Sequence, residues 1–224
     1  MVAHHPEHAL LLDFTAGGLA EGPSLAVAAH VALCRQCTQV VARLEALGGA
    51  LLETIEPVAM SSDGLDLCLD RIAAGDRPVR HVAGAPVHLH VGAVLPFPLS
   101  RYVDGAAKWR VSWGVEEIPI GLGGSSHRAS MLRIRAGRAM PRHTHIGTEF
   151  TLVLAGGFTD GQRHYGPGDL AVASVERHAP VADAEGMCVC LTVLEAPVRL
   201  VGPLARLLNP LLRWRDRNLH RASA

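Results

Sequence analysis

The sequence predicts a two-domain α + β protein: a small all-α helical bundle followed by an all-β barrel. Three observations point there. Long Ala- and Leu-rich stretches fill the first third, Pro78, Gly84, Pro86, Gly92, Pro96 and Pro98 then crowd together, and beyond them short β-rich segments alternate with Gly, Pro or Asp. With 224 residues, 49% hydrophobic and 19% charged, the chain can bury a core and is too apolar to be disordered. The expected boundaries are a helical domain over residues 1–76, a linker over 77–97, the barrel over 98–202 and a basic amphipathic tail over 203–224.

The elements follow in order. Residues 7–19 read as helix, stopped by Gly17-Gly18. Ser24 is a suitable N-cap for a helix from 25 to 47, where no Gly or Pro intervenes until Gly48-Gly49. A shorter helix is expected over 62–74, opened by Ser and Asp. The Pro/Gly segment follows, and as a linker it is expected to separate two independent cores. Strands are expected near 109–115, 130–134, 150–154, 169–174 and 188–194, a spacing that suits a sandwich or barrel. In the tail, Leu204, Leu207, Leu208, Leu211, Leu212 and Trp214 lie among arginines at near-helical spacing.

Charge and cysteine usage exclude several classes. The 21 Lys+Arg balance 21 Asp+Glu, which removes any whole-chain case for direct nucleic-acid binding. No apolar run reaches the roughly 18 residues of a membrane span. His4, His5, Glu7 and His8 stand where a basic-then-apolar signal would begin, so the reading is cytoplasmic, with no membrane. The balance hides a split: residues 1–75 carry Arg35, Arg43 and Arg71 against nine carboxylates, a net of −6 offset by +6 in the remainder. Five cysteines, arranged as Cys34/Cys37, Cys188/Cys190 and a lone Cys68, suit metal or redox chemistry in a reducing compartment better than a disulfide framework. Cys68 reads as a core residue.

The first metal motif is His30-x3-Cys34-x2-Cys37. On a helix at about 100° per residue the three lie within a stripe about 60° wide, presenting an imidazole and two thiols together. That is three-quarters of a tetrahedral Zn²⁺ site, with the fourth ligand drawn from His4, His5 or His8. A CxxC redox motif would normally follow a strand, and it has no need of His30 a turn upstream. With the upstream His before Ala9-Leu10-Leu11, this pattern resembles the zinc-binding anti-sigma domain of bacterial ECF sigma regulators. The resemblance implies His5 as the fourth ligand, being the His nine residues before Phe14.

The second motif is Gly137-x5-His143-x-His145-x3-Glu149-x6-Gly156. His143, His145 and Glu149 share parity, so on strand-like backbone they face one side, toward a barrel interior. Two imidazoles and a carboxylate accept Zn²⁺, Fe²⁺, Mn²⁺ or Ni²⁺. The spacing resembles the first motif of the cupin family. The second cupin motif is looser: Gly161-x5-Pro167-Gly168-Asp169 supplies the turn, and His178 is the candidate fourth ligand, with His164 its rival. Cys188 and Cys190 share a strand face and read as core packing or, alternatively, as an oxidation sensor beside the barrel metal.

The order of these features, from the helical His-x3-Cys-x2-Cys through the cupin motif to the late His178 and Cys188-x-Cys190, resembles ChrR-type anti-sigma factors. The resemblance runs from about residue 4 to 212 and implies a partner, an ECF-type sigma factor, held by the helical domain. It implies release when the barrel receives a signal such as singlet oxygen or an organic peroxide, and regulation rather than catalysis. The alternative is a metal-dependent cupin enzyme, such as a dioxygenase on a small oxygenated substrate. A second complete metal motif and the acidic helical half weigh against that alternative.

Overall fold

The structure, a computed structural model, describes residues 2–75, 88–89, 93–103, 108–112, 115–123, 126–174, 176–202 and 205–210. The expected linker and the expected tail lie largely outside these residues; at the start of the tail, Ala205–Leu208 form a 3-10 turn.

Helix α1 (His8–Thr15) ends where Gly17 takes a φ of +70°. Helix α2 (Glu21–Leu33) starts ahead of Ser24, because Pro23 falls in the first turn, where its missing N–H has no helical acceptor to lose. The single helix expected over 25–47 is broken. Cys34 is extended (φ −115°, ψ 104°), and α3 (Arg35–Glu53) leaves at a bend of 116°. The Thr38 hydroxyl donates to Val31 O at 2.7 Å, satisfying a carbonyl that the break frees. Gly48-Gly49 do not stop α3, which runs through both; a helical glycine costs about 1 kcal/mol but forbids nothing. Helix α4 (Gly64–Ala73) has no buried residue, so Cys68 is exposed rather than in the core. No single helix among the described residues is long and apolar enough to cross a membrane.

A short hairpin, β1 (His88–Leu89) with β2 (Ala93–Val94), and the turn-like α5 (Phe97–Ser100) lead into the barrel. The strands are β3 (Arg110–Ser112), β4 (Val115–Ile120), β5 (Arg128–Ile134), β6 (His143–Thr144), β7 (Glu149–Ala155), β8 (Phe158–Asp160), β9 (Arg163–Tyr165), β10 (Leu170–Ala173), β11 (Val181–Ala182), β12 (Cys188–Leu194) and β13 (Arg199–Leu200). The main sheet runs β10-β7-β12-β5-β4-β3, every neighbouring pair antiparallel. Smaller sheets, β11-β8-β9 and β13-β6, close the other side. This is the cupin-like architecture the second motif implied.

Alternation along the main sheet decides what touches what. Glu117, Ser130, Thr192, Cys190, Thr151 and Glu149 point into the barrel cavity. Their neighbours Ile118, Met131, Leu191, Val193, Phe150 and Leu152 point outward, yet all are buried. Helix α2 covers them: one cluster of buried side chains joins Leu25, Ala26, Val27 and Ala29 to Ile118, Met131, Leu152, Leu191 and Val193. The expectation of two independent cores is therefore corrected. An outward sheet face this apolar needs a cover, at about 1.5–3 kcal/mol per large side chain, and α2 supplies it.

Two candidate metal centres

The break at Cys34 builds the first centre. It turns α3 back toward α2, so that His30 near the end of one helix meets Cys37 in the first turn of the next. His30 Nε2 lies 3.3 Å from Cys37 Sγ, and His5 Nδ1 lies 3.3 Å from Cys34 Sγ and 3.5 Å from Cys37 Sγ. All four ligand atoms fall within 4.8 Å of one another. A tetrahedron with zinc-like bond lengths has nitrogen–sulfur edges of about 3.5 Å, so the donor set and its spacing fit such an ion. The residues of the helical stripe read from the sequence do come together, on a geometry that the continuous helix does not have.

The surroundings favour ligation. His30 is fully buried, and burial lowers its pKa, which keeps the imidazole neutral. Its Nδ1–H donates to Gly168 O at 2.8 Å, leaving the Nε2 lone pair for the cluster. Burial, with Cys34 beside it, pushes the Cys37 thiol up to about 12. Two thiolates in this place call for a cation between them. Of the rival histidines, His8 is exposed, and His4 packs on Tyr165 with ring centroids 4.4 Å apart, its Nε2–H donating to His164 O at 2.9 Å.

The second centre sits at the mouth of the barrel. His143 lies on β6, Glu149 opens β7, and His178 bridges back to His143 through paired backbone hydrogen bonds of 3.0 Å. Gly147 turns the chain between them at φ +94°. His145 Nε2 lies 2.6 Å from His178 Nε2 and 2.8 Å from Glu149 Oε2. Two ring nitrogens cannot face each other so closely with bare lone pairs, so a proton or a cation belongs among them. The other ring nitrogens are directed by the protein: His143 Nδ1–H donates to Pro141 O at 2.7 Å and His178 Nδ1–H to Asp160 Oδ2 at 2.6 Å. Burial pushes the Glu149 carboxyl up, but the hydrogen bond from His145 and the three neighbouring imidazoles outweigh it and hold the pKa below the usual value. Burial lowers the pKa of His143. Four donors in this arrangement can hold a divalent metal.

His164 stands apart, paired with Asp183 at 2.9 Å on the β8–β9 hairpin. The centre opens on a cavity of about 260 Å³ whose walls include Leu132, Ile134, Phe158, Glu117 and Cys190. Cys188 and Cys190 are both buried. The hydrogen bond that the Cys190 S–H donates to Cys188, with burial, raises the Cys190 thiol well above its ordinary range, which disfavours the reactive thiolate. Sequence reasoning missed Asp160, Pro141 O and Gly168 O. Asp160 alone had a signal, a carboxylate before the Gly161 turn, but its pairing with His178 is a long-range fact.

Comparison with known proteins agrees with both halves. A family model described as the ChrR cupin-like domain matches residues 107–197. The chain is 36% identical over 217 residues to the anti-sigma-E factor ChrR of Cereibacter sphaeroides, covering 95% of this chain and 99% of that protein. Among solved structures it is similar to the complex of Rhodobacter sphaeroides SigE with the anti-sigma ChrR, at 34% identity and a TM-score of 0.72, covering 87% of this chain and 100% of that one.

Proposed function

The chain belongs to the ChrR family of anti-sigma factors, and from that premise we propose that it sequesters an ECF-type sigma factor in the cytoplasm and releases it when the barrel metal site receives a signal. The family is regulatory, not enzymatic, and a solved relative is bound to the sigma factor SigE. The observation that carries the reading on this chain is α4. Its Leu65, Leu69 and Ile72, at helical spacing, are 63%, 52% and 61% exposed. On α3, Leu47, Leu51 and Leu52 are exposed as well. An apolar surface of this extent on a folded chain marks a protein interface.

In this reading His5, His30, Cys34 and Cys37 hold a structural Zn²⁺, which ties the N-terminal segment to the α2–α3 corner and so sets the course of α3. The net −6 of residues 1–75 favours a partner with basic faces. His143, His145, Glu149 and His178 hold Zn²⁺ or another divalent transition metal. The cavity beside them gives a small oxygenated signal, such as singlet oxygen or an organic peroxide, access to that metal. The signal must favour the sigma-free state to cause release.

The test is transcription in vitro by core polymerase with the ECF-type sigma factor of the same organism that most resembles SigE. Adding the protein at equimolar amounts is expected to abolish transcription from that factor's promoter. Undiminished transcription at tenfold excess overturns the proposal.

A further inference from the structure

The helical metal centre is held in place by the barrel. The turn leading into β10 contributes two groups. Gly168 O accepts the Nδ1–H of His30 at 2.8 Å, and Asp169 Oδ1 accepts the amides of Ala3 at 2.6 Å and His4 at 2.9 Å. Leu170 N donates in turn to His4 O at 3.1 Å. The segment carrying His5 is thus pinned to the barrel on both sides of His4. Asp169 is itself fixed by the Gly166 amide at 2.8 Å and is 4% exposed. Val2 packs over Gly168, where a Cβ would meet its Cγ2 at 2.7 Å.

We propose that Asp169 and the Gly168 carbonyl are positioning groups of the helical zinc centre, so that metal retention there depends on the barrel. Asp169 places His5 by holding the two residues before it. Gly168 O fixes which nitrogen of His30 faces the metal. Neither touches the ion. The far end of the same strand pairs Ala173 with Glu149 of the barrel centre, so β10 joins the two metal sites directly. A rearrangement around Glu149 reaches the His30 and His5 supports through four residues of one strand.

The inference rests on reading His5, His30, Cys34 and Cys37 as a metal site, and its test separates the two. Cobalt(II) in the helical site gives a thiolate-to-cobalt charge-transfer band that the sulfur-free barrel ligands cannot produce. The full chain is loaded with cobalt, and decay of that band is followed after adding excess chelator. Asp169→Ala is expected to lose the band about tenfold faster or more, the usual cost of removing support behind a metal ligand. Asp169→Asn, which keeps an acceptor for the Ala3 and His4 amides but loses the one for the Gly166 amide, restores part of the retention. Should Asp169→Ala fail to fold, Gly168→Ala carries the test: it leaves the carboxylate in place but displaces the turn, and it too is expected to speed loss. Wild-type decay rates in a folded variant overturn the positioning role. Absence of the band in the wild type overturns the metal site itself.

Discussion

Adding one methyl group at Gly22 should destabilise this protein, although the same change at Gly48 should stabilise it. Both glycines lie in helices, and Gly→Ala in a helix ordinarily gains about 0.5–1 kcal/mol. At Gly48 nothing lies within 4 Å of the new Cβ, so the gain is expected undiminished. At Gly22 the Cβ would stand 2.9 Å from both His127 Cβ and Val193 Cγ1, and 3.2 Å from Leu122 Cδ1. Val193 is fully buried in a central strand, and its branched side chain cannot turn away. Overpacking of this kind costs about 1–3 kcal/mol, leaving a net loss of up to about 2.5 kcal/mol after the helical gain. At about 2–4 °C per kcal/mol for a chain of this size, the Gly22→Ala midpoint should fall by up to about 10 °C while Gly48→Ala rises by about 1–4 °C. Calorimetric melts of the metal-loaded full chain measure both. If Gly22→Ala melts higher than wild type, α2 does not lie against the sheet and the shared core is wrong.

Three further outcomes are expected. Cys37→Ser should reduce bound metal from two ions to one per chain by elemental analysis and abolish sigma capture, because the α2–α3 corner loses its tie to the N-terminal segment. Asp160→Asn should weaken the barrel metal about tenfold in chelator competition, since His178 loses its carboxylate partner; an unchanged affinity would make that pairing incidental. His143→Ala combined with His145→Ala should leave sigma inhibition intact in a reporter strain and remove induction by organic peroxide or singlet oxygen. Normal induction in that strain would take the barrel metal out of the response.

Both candidate clusters were legible in the sequence because residues of metal-ligand type lie close together in it. His30, Cys34 and Cys37 lie within eight residues, and the barrel motif keeps its glycines at fixed distances. The path between His30 and Cys37 was misread because nothing in the residue types around Cys34 forbids helix. The break is a tertiary choice, stabilised by the Thr38 hydroxyl and by the ligand cluster it creates. The shared core did have a trace. In the run Cys188–Leu194 the residues are buried on both faces up to Val193, which an open-faced barrel strand would not be. What covers the outer face could not be read from the run itself. The two cores expected to be independent are joined here: without the barrel, the helical half would expose the barrel-facing side of α2 and lose the Gly168 and Asp169 supports.

The central claim is that the uncovered apolar face of α4 grips a sigma factor, and affinity measured by titration calorimetry tests it most directly. Wild type and Leu69→Asp are each titrated with the ECF-type sigma factor of the same organism that most resembles SigE. Leu69 is 52% exposed, so the variant should melt as wild type does. Its affinity should fall at least a hundredfold, about 2.7 kcal/mol, because a carboxylate would be buried in the interface without a partner. Equal affinity of the two proteins would contradict the account.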